Sequence, residues 1–221
     1  MNGTPCSLTD EAPGLPFAAA RWLVLTTAAY AALYGLTNHL TGLRRDLLHG
    51  VFDWERAIPF VGWTVVPYLS LCGFFALSFF VGTDDPRVLR RHVMRLFILL
   101  GVAVACYAAF PMRFTFERPA VDGIVGRLFE LLRACDQPFN RAPSLHIGVL
   151  VVLWAHFVPA MKGAPRVCLQ AWFGLIAVSV LTTYQHHVLD VPAGAALGFL
   201  ALALTGRRDA AAFAPTAPAR C

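Results

Sequence analysis

The sequence predicts an all-α integral membrane protein, a bundle of six transmembrane helices with an amphipathic helix in the long third loop. Three observations support this fold class. Of the 221 residues, 57% are hydrophobic and only 14% are charged, which leaves too little polar surface to cover a soluble protein of this size. Six stretches approach the roughly 20 apolar residues that a helix needs to cross a bilayer. Most of the basic side chains lie in the polar segments between those stretches.

The six predicted spans follow one another with short connections, except for one long loop after the third. They cover about residues 17–40, 58–81, 96–110, 145–161, 167–184 and 189–204. The third is short for a span unless it begins near His92, and Pro67 predicts a kink in the second. Only a few residues separate the fifth span from the sixth, so these two helices are expected to form a tight hairpin.

The long loop, residues 111–143, contains a stretch with the periodicity of a surface helix. Between about residues 121 and 135, four apolar side chains recur at helical spacing opposite four charged ones: Ile124, Leu128, Leu131 and Leu132 against Asp122, Arg127, Glu130 and Arg133. That pattern predicts an amphipathic helix in the membrane interface. The chain is expected to form one domain over residues 17–205, between an N-terminal tail (1–16) and a disordered Ala/Pro-rich tail (206–221).

The basic residues also predict how the chain is oriented. Six helices would place both termini on one side of the membrane, with the loops after the third and fifth helices on the other. The second loop, the fourth loop and the start of the C-terminal tail are basic: Arg87, Arg90, Arg91 and Arg95, then Lys162 and Arg166, then Arg207 and Arg208. By the positive-inside rule these segments face the cytoplasm. The third and fifth loops are therefore expected on the periplasmic side of a bacterial inner membrane.

Charge and cysteine content exclude several other classes of protein. The formal net charge of +5 comes from 18 Lys and Arg against 13 Asp and Glu, and the basic residues are mostly arginines in loops. That distribution indicates membrane topology and phosphate contacts, and no nucleic-acid partner is expected. The six cysteines are scattered without CxxC spacing, so neither a disulfide framework nor a zinc site is expected.

A histidine–aspartate motif, His186-His187-Val188-Leu189-Asp190, lies where a polar loop meets the sixth apolar segment. Histidine and aspartate are costly at a membrane boundary unless they are paired or face water, so their placement favours a functional site. His186 and Asp190 are four residues apart, and on a helix they would share one face at hydrogen-bonding distance. A carboxylate on one ring nitrogen fixes the tautomer and leaves the other nitrogen free for nucleophilic or base catalysis.

A serine–histidine motif, Pro143-Ser144-Leu145-His146, opens the fourth apolar segment. Ser144 is positioned to cap this helix, and the free backbone N–H groups of a helix start attract anions. His146 lies within one turn of that anion site and could donate a proton to a leaving oxygen. Three arginines on the same membrane face could clamp phosphate oxygens: Arg113, Arg118 and Arg141.

Together with Arg118-Pro119, these two motifs resemble the three ordered motifs of the type-2 phosphatidic acid phosphatase superfamily. The similarity covers about residues 111–194. It implies that His186 is a nucleophile that forms a phosphohistidine, with Asp190 as its orienting partner and His146 as the general acid. It also implies that neither a metal nor another cofactor is needed. The substrate would be a lipid phosphate or diphosphate whose tail lies in the bilayer.

The sequence departs from the family pattern at three positions. Because of these departures, the resemblance is compatible with either hydrolysis or transfer. Pro111 stands where the family has a lysine, with Arg113 the nearest cation, and Val180 stands where it has an arginine. Leu145 replaces the usual glycine, which is similar to the branch that contains inositol-phosphoceramide and sphingomyelin synthases. Members of that branch transfer a phosphorylated headgroup. Hydrolysis by water and transfer to an acceptor alcohol such as inositol therefore both remain open.

Other interpretations of the same residues compete with this one. His186 and Asp190 could form a structural hydrogen bond between the last two helices, and the arginines could be interfacial anchors. A small proton-coupled transporter could use the histidines and the aspartate as a relay, although no ionisable side chain is expected mid-helix elsewhere to continue it. A metal-dependent hydrolase could bind an ion with these three side chains, and it would be sensitive to a chelator. His187 is expected to pack beside the site, while His92 and His156 are assigned no role.

Overall fold

The computed structural model describes residues 15–48, 51–83, 85–135 and 139–206. Within these ranges the chain is helical and contains no β-strand, which confirms the predicted all-α class. The α-helices are α1 (Leu15–Gly42), α2 (Val65–Leu77), α3 (Pro86–Ala109), α4 (Gly123–Cys135), α5 (Leu145–Phe157), α6 (Gly163–Thr182) and α7 (Asp190–Thr205). Short 3-10 helices cover Asp53–Ala57, Gly62–Thr64 and Val158–Ala160. The predicted tails lie almost wholly outside the described residues.

Three of these helices have the length and composition of membrane spans. The helices α1, α3 and α6 contain 28, 24 and 20 residues, and each includes a sufficiently apolar window. Three further apolar helical segments are shorter: Gly62–Leu77, Leu145–Ala160 and Asp190–Thr205. The three long helices indicate a membrane protein, while the full count of six spans stays a prediction.

The second helix is shorter than predicted at both ends, and Pro67 lies in its first turn. The sequence predicts a helix from about residue 58 to residue 81, whereas α2 begins at Val65 after a 3-10 turn. Proline has no N–H to donate, so it is tolerated in the first turn of a helix but not in its interior. Pro67 therefore marks the start of α2 and not a kink within it.

The third helix begins well before its predicted start. Asp85 caps α3 by accepting a hydrogen bond from the backbone N–H of Arg87 at 2.7 Å, and Pro86 occupies the first turn. The prediction of a basic loop at residues 87–95 is therefore wrong, because these arginines belong to α3. Their charges still lie at the end of α3 that is expected to face the cytoplasm.

The core lies around α3 and α5. The helix α3 packs against α1, α5 and α7, while α2 packs against α6. Fully buried apolar side chains fill the space between them, among them Leu96, Leu99, Ala103, Val152 and Leu153. The core therefore occupies the middle of the bundle and leaves its two ends to polar groups.

The helices α5 and α7 approach each other through glycines. A Cβ added to Gly194 would lie 2.4 Å from Ser144 O, and one added to Gly198 would lie 2.6 Å from Val151 Cβ. Such close approach is typical of small residues spaced four apart on packed membrane helices. The first turns of both helices are thereby brought together, and Ser144 N donates a hydrogen bond to Asp190 O at 3.1 Å. The serine–histidine and histidine–aspartate motifs therefore meet at one end of the bundle.

Replacing Gly198 with alanine is expected to force α5 and α7 apart and to destabilise the fold. Overpacking typically costs about 1–3 kcal/mol, so the thermal midpoint of the purified protein in detergent should fall. The matched control is Gly174→Ala, because a Cβ at that position on α6 meets no atom of the described residues within 4 Å. Equal midpoints for the two variants would contradict the close contact.

Candidate active site

The histidine–aspartate motif forms a tight turn between α6 and α7. His186 Nδ1 lies 3.2 Å from Asp190 Oδ2, and both side chains are buried. The predicted contact is present, but the two residues do not share a helix, since His186 lies in the turn and Asp190 begins α7. The same carboxylate oxygen accepts a hydrogen bond from the backbone N–H of His187 at 2.8 Å. Asp190 therefore fixes both the turn and the imidazole, and it directs Nε2 of His186 away from the carboxylate.

The turn depends on a chain reversal at Tyr184. That residue has a φ of +53°, in the left-handed region that residues other than glycine rarely adopt. The backbone N–H groups of Gln185 and His186 both donate to Val180 O, at 3.1 and 3.0 Å, which closes the end of α6. Tyr184 Oη donates to Ile58 O at 2.9 Å. These contacts fix the backbone immediately before His186.

The serine–histidine motif begins α5, as predicted. Ser144 Oγ accepts a hydrogen bond from the backbone N–H of Ile147 at 3.3 Å, so the serine caps the helix. His146 stacks on Tyr68 of α2, with ring centroids 3.9 Å apart and ring planes 12° apart. Its Nε2 is buried and has no hydrogen-bond partner within the described part of the chain. His146 lies at the same end of the bundle as His186, because Ser144 N donates a hydrogen bond to Asp190 O.

Two of the three predicted phosphate-binding arginines meet at Gln185. Arg118 donates from Nη2 to Gln185 Oε1 at 3.0 Å and from Nε to Tyr184 O at 3.1 Å. Arg141 is buried and donates from Nη1 to the main-chain oxygen of Gln185 and, at 3.5 Å, to its Oε1. Arg113, by contrast, is exposed. The arginine cluster therefore surrounds the residue that precedes the histidine–aspartate motif.

Glu55, which belongs to none of the motifs, binds the turn between α6 and α7. It lies in the 3-10 helix that follows α1 and is buried. Its Oε2 accepts hydrogen bonds from His187 Nδ1 at 2.9 Å and from the backbone N–H of Val188 at 3.2 Å. His187 therefore has a specific partner and does not merely pack beside the site. In the sequence, Glu55 is only an acidic residue that precedes the second apolar segment. Nothing in that placement shows that it pairs with His187, which lies 132 positions later.

The surroundings of His187 favour its neutral form. Burial lowers its pKa, and the nearby carboxylates of Glu55 and Asp190 oppose this effect only in part. As a neutral imidazole it donates from Nδ1 to Glu55, so Nε2 is the acceptor nitrogen, and it faces Thr115 Oγ1 at 3.4 Å. The ring also stacks on Phe114, with centroids 4.4 Å apart. His187 is thus held on several sides beside the His186–Asp190 pair.

Two further buried side chains, Tyr107 and Asn140, hold the serine–histidine motif and the residues just before it in place. Tyr107 of α3 donates from Oη to Pro143 O at 2.8 Å. Asn140 donates from Nδ2 to Thr37 Oγ1 at 2.7 Å and to Tyr34 O at 3.1 Å, both on α1. Helices outside the range of the family resemblance therefore position the motif.

A second polar cluster lies at the other end of the bundle. His92 of α3 and His156 of α5 are buried, with ring centroids 4.9 Å apart, and His92 Nε2 lies 2.8 Å from Ser78 Oγ. Arg95 is buried one turn further along α3. His92 and His156 lie in the outer parts of α3 and α5, and Arg95, which the sequence predicts to lie in a loop, lies within α3. His146 and His156 are ten positions apart on α5, which corresponds to about 15 Å, so the two clusters are separate.

Comparison with known proteins finds no matching family model, no similar characterised protein and no similar solved structure. The resemblance to the phosphatase superfamily therefore rests on the three motifs themselves. Among the residues that the structure describes, no group of three or more His, Cys, Asp or Glu side chains is arranged to hold a metal ion.

Acidification is expected to destabilise the protein through His187. The pKa of His187 in the folded protein lies below its ordinary value of 6.5, so in mildly acidic solution the unfolded chain binds a proton that the folded chain does not. The thermal midpoint in detergent should therefore fall as the pH is lowered from about 7 to about 5. This dependence should be weaker in His187→Gln, whereas His39→Gln, which changes an exposed histidine, should keep it. An unchanged dependence in His187→Gln would contradict this account of His187.

Proposed function

We propose that this chain is an integral-membrane phosphatase or phosphotransferase that acts on a lipid phosphate or diphosphate through a phosphohistidine. One observation carries the proposal. His186, oriented by Asp190, and His146, whose buried Nε2 has no partner among the described residues, lie at the end of the bundle where Arg118 and Arg141 converge. An oriented nucleophile, a proton donor and preorganised cations are the groups that phosphoryl transfer through histidine requires.

The proposal includes six membrane spans, with the three shorter apolar helices completing the set begun by α1, α3 and α6. The helix α4 would lie in the membrane interface, and buried Phe129 and Leu132 on one of its faces support this placement. Exposed Trp54 and Trp63, which lie near Glu55 in the sequence, fit the aromatic belt at a membrane surface. The lipid tail would remain in the bilayer while the headgroup reaches the polar end of the bundle, on the periplasmic side of a bacterial inner membrane.

In the first step, Nε2 of His186 attacks phosphorus in line with the leaving oxygen. Asp190 holds Nδ1–H of the imidazole and stabilises the positive charge that develops on the ring. His146 donates a proton to the leaving oxygen, which departs as an alcohol or a phosphate. Arg118 and Arg141 stabilise the negative charge on the remaining oxygens of the phosphoryl group.

In the second step, water or an acceptor alcohol attacks the phosphohistidine. His146, which has lost its proton, now accepts one from the incoming hydroxyl group. Water releases inorganic phosphate and makes the protein a phosphatase. An acceptor such as inositol makes it a phospho-headgroup transferase of the inositol-phosphoceramide synthase type. The scheme requires no metal or other cofactor.

A proton-coupled transporter is the second candidate function, and the buried His92 and His156 are the observation that favours it. A relay across the membrane would have to connect them with His146. The separation of about 15 Å along α5 is too long for a direct proton transfer. Buried apolar residues such as Val152 and Leu153 lie between the two histidines of α5.

The proposal is tested by phosphate release from a panel of lipid phosphates and diphosphates, using the purified protein in detergent with a chelator present. His186→Gln should abolish release because it removes the nucleophile. His146→Gln should lower the rate about 100- to 10,000-fold, the usual contribution of a general acid. His39→Gln should match the wild type, since that side chain is exposed and belongs to none of the motifs.

The same reactions with and without added inositol separate hydrolysis from transfer, because only a transferase forms an inositol-dependent lipid product. Activity that the chelator removes would favour the metal-dependent hydrolase. A wild type that is inactive across the panel, or a His186→Gln variant that is as active as the wild type, would overturn the proposal.

A further inference from the structure

Gln185 is buried where the two arginines converge, and the motifs assign it no role. Its Oε1 lies 3.0 Å from Arg118 Nη2 and 3.5 Å from Arg141 Nη1. Its main-chain oxygen accepts a further hydrogen bond from Arg141. The residue immediately precedes His186, the proposed nucleophile. Gln185 is therefore in contact with both proposed phosphate-binding cations and covalently joined to the reacting histidine.

The two guanidinium groups determine which way the amide of Gln185 points. A guanidinium group carries only donors, so both arginines require the amide oxygen and neither can pair with the amide nitrogen. Oε1 therefore faces them, and the NH2 group, which is bonded to the same carbon, points away from both. Nε2 is buried and has no hydrogen-bond partner among the residues that the structure describes.

A buried donor without an acceptor is destabilising, and such groups in folded proteins normally have a partner. Nε2 is bonded to the same carbon as Oε1, which both arginines contact, so an anion that accepted its hydrogen bond would lie next to the arginine cluster and beside the proposed nucleophile. The family resemblance expects another arginine at the position of Val180, where the chain has a buried apolar side chain. A phosphoryl oxygen would satisfy the amide donor, and the amide would supply a contact that the missing arginine does not.

We propose that Gln185 is a phosphate-binding residue of this site. Its Nε2 donates a hydrogen bond to a non-bridging oxygen of the bound phosphoryl group, while its Oε1 holds Arg118 and Arg141 in orientation for the other oxygens. The ligand class is a tetrahedral phosphate or its vanadate analogue. This inference rests on the proposed function, since it requires that the site bind a phosphoryl group.

The test uses orthovanadate as the probe and the full-length protein in detergent. Gln185→Met should weaken vanadate binding about 10- to 100-fold, the contribution of one hydrogen bond to a charged group. Gln170→Met, on α6, is the matched control and should bind as the wild type does.

A second measurement does not depend on the folding of the Gln185 variant. The chain has three glutamines, Gln137, Gln170 and Gln185. Protein labelled with ¹⁵N-glutamine therefore gives three side-chain amide signals, and Gln137→Met and Gln170→Met identify the third by elimination. Vanadate should shift the Gln185 signal and leave that of Gln170 in place.

The outcomes separate this inference from the proposed function. Weaker binding together with a shifted signal supports a direct ligand. Weaker binding with an unmoved signal means that Gln185 only orients the arginines, and it overturns the ligand role. Equal binding by the wild type and Gln185→Met also overturns it, while the proposed function stands. If the wild type binds neither vanadate nor inorganic phosphate, the role of Gln185 and the proposed function are both overturned.

Discussion

The close contact between α5 and α7 is the constraint on which the rest of the site depends. Apolar helices in a bilayer gain little from hydrophobic burial against one another, so their association relies on van der Waals packing and hydrogen bonds. Gly194 and Gly198 let α7 approach α5 closely enough for Ser144 and Asp190 to be joined by a backbone hydrogen bond. Because each helix begins with one of the motifs, the same contact fixes how the motifs lie relative to each other.

Buried carboxylates give the turn between α6 and α7 its shape. Asp190 accepts hydrogen bonds from the His186 ring and the His187 backbone, and Glu55 accepts them from the His187 ring and the Val188 backbone. Hydrogen bonds between buried groups hold one arrangement of the turn, and preorganised polar groups are what stabilise charge in a transition state. Glu55 comes from the first loop, so the turn is completed by a part of the chain that carries none of the motifs.

Features that depend on neighbouring residues in the sequence could be predicted, whereas contacts between distant parts of the chain could not. Apolar length predicts the long helices and Ser144 predicts the start of α5, since each signal is local. The hydrogen bond between His186 and Asp190 is also present as predicted, although it is formed across a turn and not along a shared helical face. The partners Glu55 and Gln185 could not be predicted, because such pairings depend on tertiary contacts that spacing along the chain does not encode. The catalytic roles remain predictions from chemistry and from the family resemblance.

The central claim is that a covalent phosphoryl group forms on His186. The most direct measurement is to mix the protein with a lipid phosphate, stop the reaction rapidly in alkali, which preserves phosphohistidine, and analyse the peptides by mass spectrometry. The account predicts a peptide that is heavier by one phosphoryl group, with the modification on His186, and predicts its absence from His186→Gln. Turnover of the lipid without a phosphorylated peptide, or with the phosphoryl group on His187, would contradict it.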